Sequence, residues 1–275
     1  HSARQLEFMV QLDCEFFMSI AKLRALRCLW SVVREQCGLQ TPLRIHTHTS
    51  PRVLSQRDPW VNILRNTTTC FAGAVAGANA ISTESFDCRL GLPSAEGQRL
   101  ACTTQLVLGL ESHLDKVIDP AGGSYFIDKL TQELAAKAWA ITQAIEARGG
   151  MQKALLSGWI ADQIDPVRDE RNRVIQRRKK PITGVSEFPN LEEQVPERPQ
   201  RSAPSEVEEH DPSGYWRVPR LPQYHFADPF EALRARSDRW LTEHGHRPHV
   251  DLLLLGAIAN HTGRSTFVQN LVQAG

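Results

Sequence analysis

Residues Thr49–Trp60 read TSPRVLSQRDPW and run straight into VNILRNT, Val61–Thr67. Asp58 is placed to cap a helix with Pro59 in its first turn, because a short acceptor satisfies free N–H groups and proline has none to leave unpaired. That helix is expected to run through Ala80, closing on the small-residue series AGAVAGANA. A short strand candidate, Leu43 to His48, lies just upstream, and another, Ile81 to Phe86, lies just downstream. Helix and strand therefore alternate around this stretch.

The alternation continues outward. Phe16, Phe17, Ile20, Leu23, Leu26 and Trp30 recur at three- and four-residue intervals, the spacing of an amphipathic helix, which stops near Gly38. Pro93 opens a helix through about Leu114. A loop with Asp119-Pro120 and Gly122-Gly123 then precedes a helix from Asp128 to Arg148, which Gly149-Gly150 terminates. Strands alternating with long helices imply βα units around a parallel sheet, an α/β fold. No internal repeat is visible.

Composition narrows the function classes. The 275 residues can bury a large core as one or two domains, and 41% hydrophobic with 23% charged residues is ordinary for a globular protein. A net charge of +1 argues against nucleic acid or an anionic membrane as the main partner. The longest purely apolar run, Leu252 to Leu255, is far too short for a transmembrane helix, and no secretory leader opens the sequence. Six scattered cysteines without a CxxC pair read as reduced cytosolic residues, so the Asn66-Thr67-Thr68 sequon carries no weight.

After Arg168 the chain turns basic, with Arg171, Arg173, Arg177, Arg178, Lys179 and Lys180 suiting a solvated helix face better than a binding patch. Nine of the sixteen prolines then fall between Pro181 and Pro229. We expect an extended linker that wraps over a neighbouring surface, since it carries Phe188, Tyr215, Trp216, Tyr224 and Phe226; disorder is the alternative. Asp251 to Leu255 reads as a buried strand leading through GAIANHTG into a helix, Arg264 to Ala274, the opening βα unit of a doubly wound domain. GAIANHTGRST is not a P-loop: six residues separate Gly256 from Gly263, and Arg264 stands where lysine is needed. Because it starts at His1 and stops inside that unit, the sequence is expected to be part of a longer chain.

His46, His48 and Ser50 alternate along a strand and point to one face, with Ile45, Thr47 and Thr49 on the other. The two imidazoles suit a working site or a satisfied interior pair. A zinc pair lacks a third ligand at the right spacing. His244, His246 and His249 form a second cluster, in a stretch that suits solvation better than metal binding.

TSPRVLSQRDPW with VNILRNT, DPAGGSYF (Asp119 to Phe126) and PITGVSEFP (Pro181 to Pro189) together resemble the adenosylcobalamin-dependent acyl-CoA mutases, the methylmalonyl-CoA mutase family. The resemblance runs from about Glu15 to the last residue. It implies the later portion of a TIM (β/α)8 barrel over residues 1–180 and a Pro-rich wrapping linker with a short helix over 181–245. Residues 246–275 would start a degenerate, flavodoxin-like cobalamin-binding-type domain.

The resemblance also exposes departures at the family's functional positions. His46, Thr49 and Ser50 match its His-x-Gln-Thr-Ser strand, but His48 replaces the Gln. Gln5 and Glu7 stand where an Arg-x-Ser pair grips coenzyme A phosphates; glutamine forfeits bidentate contact and glutamate repels phosphate. Cys88 stands where a glutamate binds the adenosyl ribose. At the Asp-x-His-x-x-Gly loop whose histidine ligates cobalt, this chain has Ile258, Asn260 and Gly263, with His261 displaced by one. Only Gly263 is retained.

DPWVN, the LGLP block and ANHTGR are most similar to the small subunit of heterodimeric mutases, which has lost cofactor and substrate binding. What this implies is a structural subunit in a complex that interconverts methylmalonyl-CoA and succinyl-CoA by radical rearrangement. Its partner would be a homologous catalytic subunit holding the adenosylcobalamin, with the acyl-CoA bound by the complex and a cytoplasmic location. Two other readings stand beside it: an active mutase acting on another acyl-CoA, and a metal-dependent barrel enzyme using His46 and His48.

Overall fold

A computed structural model describes residues 5–200, 218 and 221–275 of the chain. Three parallel strands, β1 (Phe8–Leu12), β2 (Ile45–Thr49) and β3 (Ala80–Ser82), lie in chain order in one sheet. Helix α1 (Phe16–Gln36) links the first two and α2 (Val61–Val75) the last two. The α/β reading with a parallel sheet therefore holds. β1 was not anticipated: FMVQL is mostly apolar and shows no period-two pattern in sequence, and only its burial alternates.

Both linking helices cover the same face of the sheet. Leu12 and Ile45 from the strands, Ile20 and Leu23 from α1, and Ala72 and Val75 from α2 form one core. Each large aliphatic residue buried there contributes about 1.5–3 kcal/mol. Helix α4 (Tyr125–Ala147) adds Ile127 from outside α1, and Arg24 of α1 binds both Asp119, at 2.6 Å, and Asp128, at 3.2 Å. Gly73 lets α2 approach β2: a Cβ there would lie 2.9 Å from the Thr47 Oγ1.

Helix α2 ends at Val75, short of Ala80, because Gly77 enters the left-handed region at φ +71° and the Gly77 and Ala78 amides close onto Ala74 and Gly73. Asp58 does not cap it either. Asp58 sits at φ +45°, its carbonyl accepts from Val61, and Trp60 is the capping residue, without a side-chain bond. Helix α3 (Ala95–Leu106) is capped by Ser94, whose hydroxyl accepts from the Gly97 amide at 3.0 Å. It passes into a π-helical turn, Val107–Glu111, and so does not reach Leu114 as an α-helix.

Helices α5 (Met151–Leu156) and α6 (Trp159–Gln176) lead into the Pro-rich segment, and α7 (Asp228–His244) follows it. Val53 and Leu54 of the loop after β2, Ile175 of α6, Val185, and Phe226 with Phe230 form a second core. Tyr215 and Trp216 lie outside the described residues. Asp251 to Leu255 forms no strand: Leu253 and Leu255 are 86% and 77% exposed, and among the described residues none supplies the neighbouring ladder that a parallel strand needs. Helix α8 (Ile258–Gln273) starts six residues before Arg264, because the Asn260 amide and Thr262 hydroxyl bond back to the carbonyls of Ala257 and Ile258.

Candidate functional site

The sheet face away from α1 and α2 is polar. Register aligns Met9, His46 and Ala80 in one row and Gln11, His48 and Ser82 in the next. Period-two alternation sends Ile45, Thr47 and Thr49 inward, where Thr49 meets Thr69 of α2 at 3.2 Å, and leaves the two histidines half-buried on the opposite face. His46 Nε2 lies 2.7 Å from the Ser82 hydroxyl. His48 turns Nδ1 to the Thr49 carbonyl at 2.8 Å and Nε2 to Glu84 at 3.2 Å. Ser50 is buried and donates toward Gln11 over 3.5 Å.

His46 and His48 thus share one face, while Trp60, in the loop just before α2, and Arg65, on that helix, engage other partners. Trp60 stacks on Phe86, with ring centroids 4.4 Å apart. Arg65 donates to Ser55, Asn62 and the Thr183 carbonyl, drawn there by a buried knot that needs donors. The two imidazoles engage separate partners. Among the described residues no group of three His, Cys, Asp or Glu side chains is placed to hold a metal ion.

Asn62 ties the loop after β2 together. It is fully buried, donates to the carbonyls of Ser55 and Phe86 at 2.8 and 2.9 Å, and accepts from the Ser55 amide at 3.1 Å. Gln5 and Glu7 are exposed just ahead of β1, and Cys88 packs against the second core.

The residues at the family's cobalt-loop positions do not fit a corrin. Ile258, 76% exposed, and Asn260 lie in the first turn of α8, with Gly263 one turn further on and open space around it. Among the described residues His261 Nδ1 is buried without a hydrogen-bond partner, so no carboxylate fixes that nitrogen. A ligating imidazole normally has its second nitrogen fixed in that way.

The described residues of the segment after α6 strap onto their own chain. Glu193 pairs with Arg57 at 3.3 Å and Arg234 at 3.2 Å, and also accepts from the Asp58 amide at 2.6 Å. Arg198 pairs with Asp87 at 2.7 Å, and the Pro199 carbonyl accepts from Leu92 at 2.8 Å. Burial pushes the Asp87 carboxyl up, but hydrogen bonds from Ser85, Ser94 and Arg198 outweigh it and hold the group at about 2. Apart from Glu193–Arg234, these contacts join residues more than a hundred positions apart, so spacing alone could not reveal them. Ion pairing supplies the reason for the fold-back: partly buried charges on each side would otherwise stand unmatched.

Comparison with known proteins adds an independent line. The family model for methylmalonyl-CoA mutase matches residues 1–214. The chain is 44% identical over 274 residues to the methylmalonyl-CoA mutase small subunit of Streptomyces virginiae, covering 98% of this chain and 42% of that protein. It is 41% identical over 279 residues to a probable methylmalonyl-CoA mutase small subunit of Mycobacterium bovis, covering 99% of this chain and 42% of the relative. Identity to the methylmalonyl-CoA mutase of Escherichia coli is 36% over 190 residues, 68% of this chain and 27% of that one. The chain thus spans about two-fifths of the length of the small-subunit relatives it matches. Taken with the parallel βα units and the shared sequence blocks, these matches place the chain in the methylmalonyl-CoA mutase family.

Proposed function

We propose that this chain is part of the small, non-catalytic subunit of a heterodimeric methylmalonyl-CoA mutase, an isomerase complex that interconverts methylmalonyl-CoA and succinyl-CoA. Residues 1–180 are read as the later portion of a TIM barrel, 181–245 as linker and short helix, and 246–275 as the start of a degenerate cobalamin-binding-type domain. The observation that carries this reading is similarity to named small subunits across 98% of the chain, against 68% for the mutase of Escherichia coli. The loss of fit at Ile258 and Asn260 supports it, because an aliphatic side chain cannot orient an imidazole and an amide is a poor cobalt ligand.

In this reading His46, His48 and Ser50 line the barrel lumen without performing chemistry, and the adenosylcobalamin sits on a homologous partner. When bound there, that cofactor supplies the radical, and protein groups position and shield it. The separate engagement of His46 and His48 speaks against the metal-dependent alternative. An ultraviolet-visible titration of the isolated full-length subunit with adenosylcobalamin tests the reading. We expect no bound corrin and no turnover of methylmalonyl-CoA until the partner is added. A histidine-ligated corrin spectrum, or turnover by the subunit alone, would overturn it.

A further inference from the structure

The N-terminal end of α7 is fastened to the barrel portion by a polar cluster in which one imidazole accepts from Arg89. Arg89, in the loop after β3, is 14% exposed and reaches three groups at that end: His225 Nε2 at 3.1 Å, Asp228 at 3.2 Å and Glu231 at 3.1 Å. A guanidinium can only donate, so His225 Nε2 must present its lone pair. The remaining nitrogen, Nδ1, lies 3.4 Å from the Asp228 carboxylate and carries the proton. The backbone agrees with this orientation, since the His225 amide donates to Asp228 at 2.7 Å and Phe226 donates to the Arg52 carbonyl at 2.9 Å.

We propose that His225 is an acid-released latch. Neutral, it accepts from Arg89 and holds the Tyr224–Phe226 anchor and the start of α7 against the barrel portion. Protonated at Nε2, it loses that bond and sets a cation against the guanidinium, so this end of α7 lifts.

The charged groups around the ring favour release over retention. Arg89 faces it from the loop after β3. Arg52, 5.0 Å over the Tyr224 ring, adds a second positive charge from the turn after β2. Arg171 of α6 and Lys180 lie over the adjoining Phe226 ring, at 5.5 and 6.0 Å. Against these stands Asp228 on α7 itself, already shared with Arg89, while Glu231 divides its oxygens between Arg89 and the Gln56 amide. Burial, then the Arg89 charge, lowers the affinity of His225 for its proton relative to an ordinary histidine. The sign follows. The latch stabilises the closed state fully above about pH 6.5, and that contribution is lost as pH falls toward the lowered value of the closed form. Phe226 is 9% exposed, so lifting would uncover an aromatic residue of the second core.

Hydrogen exchange of the full-length subunit, read on peptides covering residues 224–236 at pH 7.5 and 5.5 and corrected for intrinsic rates, tests the latch. Wild type should open more at the lower pH, by up to about tenfold, the limit set by one pH unit below an unperturbed histidine. His225→Gln keeps an acceptor for Arg89 but cannot titrate, so its corrected exchange should be the same at both values. Equal pH dependence in wild type and variant would overturn the proposal. If His225→Gln fails to fold, imidazole C–H exchange at His225 in the wild type decides the matter: a titration midpoint at or above 6.5 would refute the latch, and one below it would support it.

Discussion

The Nε of Arg198 lies 2.7 Å from Oδ2 of Asp87, a side chain with no exposed surface, although the two residues are 111 positions apart. This pair holds the strap over the loop that leads into α3, where Asp87 also accepts from the Ser94 amide at 3.1 Å. Removing one partner strands the other, which is more costly than never burying the pair.

Arg198→Leu should therefore destabilise the full-length protein by about 2–4 kcal/mol, seen as a lower urea midpoint. Asp87→Asn should cost less, because the amide keeps part of the bonding. A midpoint unchanged by Arg198→Leu would show that the strap contributes nothing to stability.

Asp87 also sets an acid limit. Its carboxyl is held near 2 against an ordinary 3.8, so the difference of about 2 kcal/mol is present above pH 3.8 and disappears as pH falls through 2. The stability of Asp87→Asn should fall less than that of wild type between pH 5 and pH 3, measured by denaturant unfolding at each pH.

Asn62→Leu should be among the most damaging single changes in the loop after β2. It leaves the carbonyls of Ser55 and Phe86 without their donor in a dry site, at about 1–3 kcal/mol for each stranded group. Thermal unfolding should drop by several degrees, and protection of the Val61 to Arg65 amides should fall with it.

Gly73→Val should cost about 1–3 kcal/mol of stability, seen as a lower urea midpoint, through overpacking against Thr47 and Ile81, while Gly73→Ala, which gains helix propensity, should cost less. Equal stability of the two variants would mean that β2 yields to the added bulk.

His48→Gln should change turnover by the assembled complex less than about twofold, since in the proposed reading it does no chemistry; a general acid or base there would cost at least about 100-fold. Steady-state kinetics with saturating partner and cofactor distinguishes the two.

Much of the fold was legible in particular residues. The helical spacing from Phe16 to Trp30 and the strand alternation of His46 and His48 describe local periodicity, which the backbone must obey. Element ends were less legible. Asp58 looks like a cap because of its residue type, yet Glu193 and the Pro181 to Pro189 turn draw that backbone into a left-handed conformation beside Gly184. Of the candidate site, the shared face of the histidines could be read from period two. The partners Ser82, Glu84 and Gln11 could not, because strand register across a parallel sheet is a long-range property. Leu252 to Leu255 misled because apolar composition signals burial but does not supply a neighbour to pair with.

The strap also imposes an order of events during synthesis. Asp58 and Glu193 are 135 residues apart, so at about 5–20 residues per second the loop after β2 leaves the ribosome on the order of 10 s before its ionic partner exists. Throughout that interval Arg57 and the Asp58 amide lack their Glu193 partner, and Phe230 of α7 has not arrived to complete the core around Val53 and Leu54. The nascent chain thus carries an unfinished apolar surface that only its own later residues can close, and a ribosome that pauses before Glu193 would prolong the exposure.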